Sequence, residues 1–203
     1  FGAGWGCKVA IANVLGNEGY SITSLVVQSP DQRLQKLRLP LDINLGIVAA
    51  TNMKQRTHKQ IEYYHADRLN YAVAGTPNRL EYDQGFFVKN GDGAADFKPI
   101  AHLYKTQVYQ LAEFLGIPQE IRARPPSTDT WSLAQTQEEF YFGVSLEKLD
   151  LCVYALDHDV PAAQAAPAVG LTVEQVEEVY RDIAGKRRTT RYQHEPAMLV
   201  EQV

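Results

Sequence analysis

The stretch GTPNRLEYDQGFFVKNGDGAAD, residues 75–96, decides how the chain is read. It follows the apolar run Tyr71, Ala72, Val73, Ala74 and gathers turn residues, a carboxylate, a lysine and further acids. An apolar run leading into Gly75 and Thr76 reads as a buried strand over residues 70–76. The carboxyl end of such a strand is where open α/β sheets place a ligand. The expected fold class is therefore α/β.

Towards the amino terminus, residues 45–68 change to helical spacing, with Ile47, Ala50, Met53, Thr57, Ile61, Tyr64 and Arg68 recurring every three or four positions. Gly46 falls at or just before the expected cap. Upstream, SITSLVVQ (residues 21–28) and residues 34–39 read as two strands joined by a turn at Ser29, Pro30 and Asp31, a hairpin whose polar alternate positions make it a peripheral flap. Residues 1–20 are broken by Gly2, Gly4, Gly6, Gly16 and Gly19 and read as a loop with a short strand or turn.

Towards the carboxyl terminus, residues 102–115 form a helix with Tyr104, Val108, Leu111 and Leu115 on one face, stopped by Gly116 and Pro118. Residues 122–132, RARPPSTDTWS, are irregular, because paired prolines fix the backbone and remove donors. Leu146, Leu149, Val153 and Leu156 mark the next helix. Pro161 opens a short Ala-rich helix ending near Gly170, and Thr172 with Gln175 makes a capping box for a last one, which turns Val173, Val176, Val179 and Ile183 inward. The expected organisation is an irregular segment and hairpin insertion (1–44), an α/β part (45–144) and a helical extension with a basic tail (145–203).

With 203 residues, 45% of them hydrophobic, the chain can bury a sizeable core. A net charge of −4 gives no global attraction to nucleic acid or anionic membranes. Cys7 and Cys152 lie far apart, which argues against a disulfide framework or a zinc site. No apolar run approaches the roughly eighteen residues of a membrane span, and FGAGWGCK is unlike a signal peptide, so a cytoplasmic protein is expected. Beginning with Phe1, the chain reads as part of a longer polypeptide.

Gly75, Thr76, Glu81, Lys89, Asp92, Asp96 and Lys105 form a constellation suited to a nucleotide. Glu81 is a hard oxygen ligand of the kind magnesium takes, and Lys89 and Lys105 would neutralise phosphate charge. The same residues also read as ordinary turns, a solvated carboxylate and surface lysines. The five histidines have no metal-ligand spacing.

NMKQR (residues 52–56), AGTPNRLE, GFFVKNGDGAADFKPIAHLYKTQVYQLAEFLGIP and PPSTD resemble, in order and spacing, blocks of the NAD synthetase family, adenylating amidotransferases of the ATP-pyrophosphatase fold. The resemblance runs from about Leu45 to Arg188. It implies a partial Rossmann-like parallel sheet and ATP-dependent amidation of deamido-NAD to NAD through an adenylate, with ATP as co-substrate and Mg2+ as cofactor. It places Thr76 on adenosine, Glu81 on the metal, Lys105 and Ser127 on ATP, and Arg56, Lys89, Asp96, Gly185 and Lys186 on the dinucleotide. Glu81 and Lys105 would be the catalytic pair. Ammonia would come free or from a glutaminase domain, and the family commonly forms homodimers.

The chain departs from the family pattern at Pro77, Ser127 and Gly185, and it contains no SGGxDS phosphate loop. That absence predicts a carboxyl-terminal portion of a longer enzyme, inactive alone. Two competing readings are a degenerate nucleotide-binding or dimerisation module and a helix-turn-helix over residues 161–184 followed by KRRTTR. Glu174, Glu177, Glu178 and Asp182 argue against contact with DNA.

Overall fold

A computed structural model describes residues 2–11, 14–15, 24–128 and 130–201. Gly16, Gly19, the first three positions of the expected strand at 21–28, and Asp129 of PPSTD lie outside them. Three strands, β1 (Gly6–Ala10), β2 (Ser24–Gln28) and β3 (Leu34–Arg38), pair antiparallel in the order β1-β2-β3. The β2–β3 hairpin matches the expected one, in register Val26 with Lys36. Its turn is closed by Ser29 N–H donating to the Arg33 carbonyl at 3.0 Å. β3 is exposed throughout, whereas Val27 of β2 is buried.

The expected strand at 70–76 is a correction: it is reduced to a single parallel bridge, Ala74 with Phe97. Gly75 N–H donates to the Phe97 carbonyl (2.8 Å) and Asp96 N–H to the Val73 carbonyl (2.9 Å). A parallel strand propagates only beside another strand brought round by a crossover, and among the described residues only this returning segment flanks it. A Cβ on Gly75 would lie 2.8 Å from the Ala95 side chain, so the close approach requires glycine.

α1 (Leu41–Leu69) begins four residues earlier than read and carries Gly46 in its interior. It ends at Asn70, whose left-handed backbone (φ 55°) returns Tyr71 N–H to the Ala66 carbonyl at 2.9 Å. The apolar stripe read from the sequence lies largely outward: Met53, Ile61 and Tyr64 are exposed, and Lys59 and Ala66 are buried instead. α2 (Arg79–Asp83), α3 (Lys105–Phe114) and α4 (Gln119–Arg122) follow. α3 starts three residues later than expected, and Leu111 and Leu115 of its apolar face are exposed.

The core lies in the carboxyl-terminal helices α5 (Leu146–Asp157), α6 (Ala162–Val169) and α7 (Val173–Thr190). Thr172 and Gln175 form the expected capping box, with Thr172 Oγ1 accepting from Gln175 N at 3.2 Å. Val176, Val179 and Ile183 are fully buried against Leu149, Cys152 and Val153. Each such side chain contributes about 1.5–3 kcal/mol by leaving water. A π-helical turn (Glu138–Phe142), closed by Gly143 N–H to the Glu138 carbonyl at 2.7 Å, drives Phe142 into the same core together with Leu80 of α2. The basic run expected behind this helix forms its last turns and is occupied within the fold: Lys186 pairs with Asp182, and Arg187 with Asp83 and Asp157.

Candidate active site

The site is built around α2. Asn78 Oδ1 accepts from Leu80 N (2.9 Å) and Glu81 N (3.2 Å), while Glu81 Oε2 accepts from Asn78 N (2.9 Å), a reciprocal box that satisfies the first donors of a five-residue helix. The other carboxylate oxygen, Glu81 Oε1, accepts from Gln137 Nε2 at 3.0 Å. Gln137 N–H donates in turn to the Pro126 carbonyl (3.0 Å), and Ser127 bridges to Thr136. Glu81 is thus tied to the proline-rich loop.

These elements enclose a cleft of about 620 Å³ that brings Thr76, Glu81 and Ser127 together. β1 and the residue that follows it supply Val9 and Ile11 to one wall, α1 supplies Asn52 and Gln55 to another, and Phe86 and Tyr141 supply a third. The amino-terminal segment, read as a loop with a short strand or turn, therefore borders the site. Phe86 stacks on Tyr141 with ring centroids 4.7 Å apart, and Tyr141 Oη donates to the Gln84 carbonyl at 2.6 Å. Trp131 Nε1 and Gln137 Oε1 are buried in residues that line the cleft and have no protein hydrogen-bond partner. Such groups suit a polar ligand. Gly85, at φ +70°, lies so close to α7 that a Cβ would fall 2.2 Å from Thr190 Cβ.

Arg56, Lys89 and Asp96 are not part of the cleft lining, although their neighbours Gln55 and Val88 are. Arg56 Nε donates to the Lys89 carbonyl (3.2 Å), and Lys89 Nζ donates to the carbonyls of Tyr192 (2.9 Å) and Glu195 (2.6 Å). Asp96 accepts from Val73 N (2.7 Å) and Tyr63 Oη (3.4 Å). Lys105 begins α3, with Nζ 5.7 Å from the Tyr109 ring centroid. Lys186 is set beneath Tyr141, 2.6 Å from Asp182 and 4.9 Å from the Tyr141 ring centroid. Burial pushes its pKa down, opposed by the Asp182 charge. Its neighbour Gly185 has open space where a side chain would lie.

Among the described residues there is no cluster of three or more His, Cys, Asp or Glu side chains that would cage a metal. A single carboxylate at a cleft is still compatible with magnesium, which takes one or two protein carboxylates and fills its octahedron with phosphate and water oxygens. Both Glu81 oxygens accept one protein hydrogen bond, leaving lone pairs for a cation.

Asn78, Gln137, Asp150 and Arg187 are not among the residues singled out from the sequence. Asn78 was legible as the N-cap three residues before Glu81; the others act across sequence gaps of 30 residues or more and carry no local signal.

The cleft combines a carboxylate, hydroxyls and aromatic walls on a mixed α/β scaffold, residue types that a ligand-binding enzyme site uses. A sequence model of the NAD synthase family matches residues 13–196, and the chain belongs to that family. It is 62% identical over 203 residues to an NH3-dependent NAD+ synthetase of Rhizobium rhizogenes and 64% identical over 203 residues to that of Rhizobium meliloti. In both comparisons all of this chain aligns, and it spans 61% of the relative's length. Among solved structures it resembles one described as NMN synthetase from Francisella tularensis (27% identity, TM-score 0.59), covering 75% of this chain and 56% of that one. An NH3-dependent NAD synthetase from Campylobacter jejuni shares the fold at 20% identity (TM-score 0.54; 76% of this chain, 56% of that one).

Proposed function

We propose that the protein carrying this chain converts deamido-NAD to NAD with ATP and ammonia. The carboxylate attacks the α-phosphorus, pyrophosphate leaves, and ammonia then displaces AMP from the acyl carbon. The observation that carries this reading is the convergence of Thr76, Glu81 and Ser127 on one cleft in a member of the NAD synthase family. Thr76 meets the adenosine, Ser127 donates its hydroxyl to ATP, and Lys105 neutralises phosphate charge. Glu81 holds magnesium, which when bound screens the polyphosphate and polarises the α-phosphoryl group. Arg56, Lys89 and Asp96 hold the dinucleotide, with Gly185 and Lys186 beneath; the cleft's aromatic walls keep water from the activated acyl group.

The same reading includes a parallel sheet of the ATP-pyrophosphatase type extending from the Ala74–Phe97 bridge, and the three-part division at residues 44 and 144. It includes a homodimer, supported by the exposed apolar side chains of Leu41, Leu45, Val48 and Met53 on α1. A cytoplasmic setting accords with two free cysteines; among the described residues no helix is long and apolar enough to cross a membrane. A second reading, amidation of the mononucleotide to NMN, rests on the likeness to the Francisella tularensis structure. Assaying the native protein with ATP, Mg2+, ammonium and each carboxylate substrate separates them: NAD and AMP in equal amounts from deamido-NAD support the first reading, and product from the mononucleotide alone replaces it with the second.

A further inference from the structure

Lys105 and Thr106 are the first two residues of α3, and their backbone N–H groups have no partner within the helix. Both are bound by one carboxylate from another helix. Asp150, in α5 and only 4% exposed, accepts from Lys105 N through Oδ1 at 3.1 Å and from Thr106 N through Oδ2 at 2.8 Å. A carboxylate buried on a core helix is costly unless its hydrogen bonds are made. It is flanked by Leu149, Cys152 and Val153, all fully buried, so the backbone it holds is tied to the buried helical core.

A second tie joins the same segment to the site. Arg79 N–H, at the start of α2, donates to the Leu103 carbonyl at 2.8 Å, and the Arg79 guanidinium lies 4.8 Å from the Tyr104 ring centroid. Leu103 precedes Lys105 by two residues and Arg79 precedes Glu81 by two. The backbones that carry Lys105 and Glu81 are thus fixed to each other and, through Asp150, to α5. Because Asp150 occupies both leading N–H groups of α3, an anion has no access to those donors, and Lys105 engages phosphate through its ammonium alone.

Resting on the proposed ATP chemistry, we infer that Asp150 is the positioning residue for Lys105: it fixes where the Lys105 side chain leaves the helix, and so the reach of its ammonium towards the polyphosphate.

The test is a double-mutant cycle of D150A and K105A in the native protein, followed by ATP KM and kcat, with D150N as a second variant that keeps one acceptor oxygen. All variants are compared at a temperature where circular dichroism shows them folded. We expect D150A to weaken ATP use by about tenfold to a hundredfold, K105A/D150A to be no worse than K105A, and D150N to recover part of the loss. Multiplying losses in the double variant, or unchanged kinetics in D150A with only a lower melting temperature, would overturn the inference while leaving the ATP reading intact. K105A as active as wild type would overturn both.

Discussion

Gln137 Nε2 lies 3.0 Å from Glu81 Oε1, while the opposite oxygen of the same carboxylate is held by Asn78 N at 2.9 Å. One carboxylate thereby closes a helix cap on one side and meets a residue of the proline-rich loop on the other. Its orientation at the cleft is set by both.

The first prediction separates the charge of Glu81 from its structural role. On the metal role proposed for Glu81, E81Q, which retains an oxygen for the cap and should fold normally, loses turnover by about a hundredfold or more. E81A also loses the acceptor of Asn78 N–H, the Glu81 half of the capping box, so its stability should fall by about 0.5–1.5 kcal/mol in urea denaturation. Equal activity of E81Q and wild type would remove Glu81 from the metal.

A milder effect is expected at Gln137. Q137A leaves Glu81 charged and held by Asn78 N alone, and on the proposed metal role the loss of an orienting partner typically carries about 10- to 100-fold in metal affinity. A Mg2+ titration of ATP turnover should therefore shift to higher metal concentration with kcat nearly restored at saturation.

How much of this was legible in the sequence follows from where each partner lies. The Thr172–Gln175 box and the inward face of α7 were readable, because both are local periodicities. Asn78–Glu81 has the same local signature, although the sequence reading takes the glutamate as a metal ligand or a solvated carboxylate and not as half of a cap. The spacing points to the wrong face of α1 because polar and apolar residues are mixed around that helix, so which side packs is decided by tertiary contacts. The π-helical turn at 138–142 and the Asp150 cap depend on chain segments meeting across the core, and no spacing rule encodes them. Of the site residues read from the sequence, Thr76, Glu81 and Ser127 share the cleft, whereas Lys89 is engaged by carbonyls far along the chain and Lys186 by Asp182 one turn before it.

Acid sensitivity should arise partly from Asp157. Burial alone would raise its pKa, but hydrogen bonds and charge from Arg79 and Arg187 outweigh it and hold the carboxyl below its ordinary value. The folded state therefore binds the proton less readily than the unfolded chain. The resulting stability is present above the ordinary carboxyl pKa and is lost as pH falls through the folded value. D157N should flatten this acid limb of a melting-temperature profile and lower stability at neutral pH, since Arg187 also loses one of its two partners.

G85A should be destabilising through backbone and packing together. Its φ of +70° costs a non-glycine residue about 1–3 kcal/mol. The added methyl also collides with Thr190, pushing α7 from the α2 turn. Urea midpoints of G85A and of G116A, which has the same φ of +70° but no neighbour within 4 Å, would measure the collision as their difference.

K89A should release the segment at 192–195, because Lys89 Nζ is the donor to the Tyr192 and Glu195 carbonyls. Limited proteolysis is expected to cut there faster in K89A than in wild type, and deamido-NAD should slow cleavage of the wild type only.

The most direct test of the account is the fate of the substrate's carboxylate oxygen. With deamido-NAD labelled by 18O in the carboxylate, attack on the α-phosphorus followed by ammonia displacement carries one labelled oxygen into AMP. Mass spectrometry should find one 18O per AMP formed by the native protein; AMP without label would contradict an adenylate and with it the proposed function.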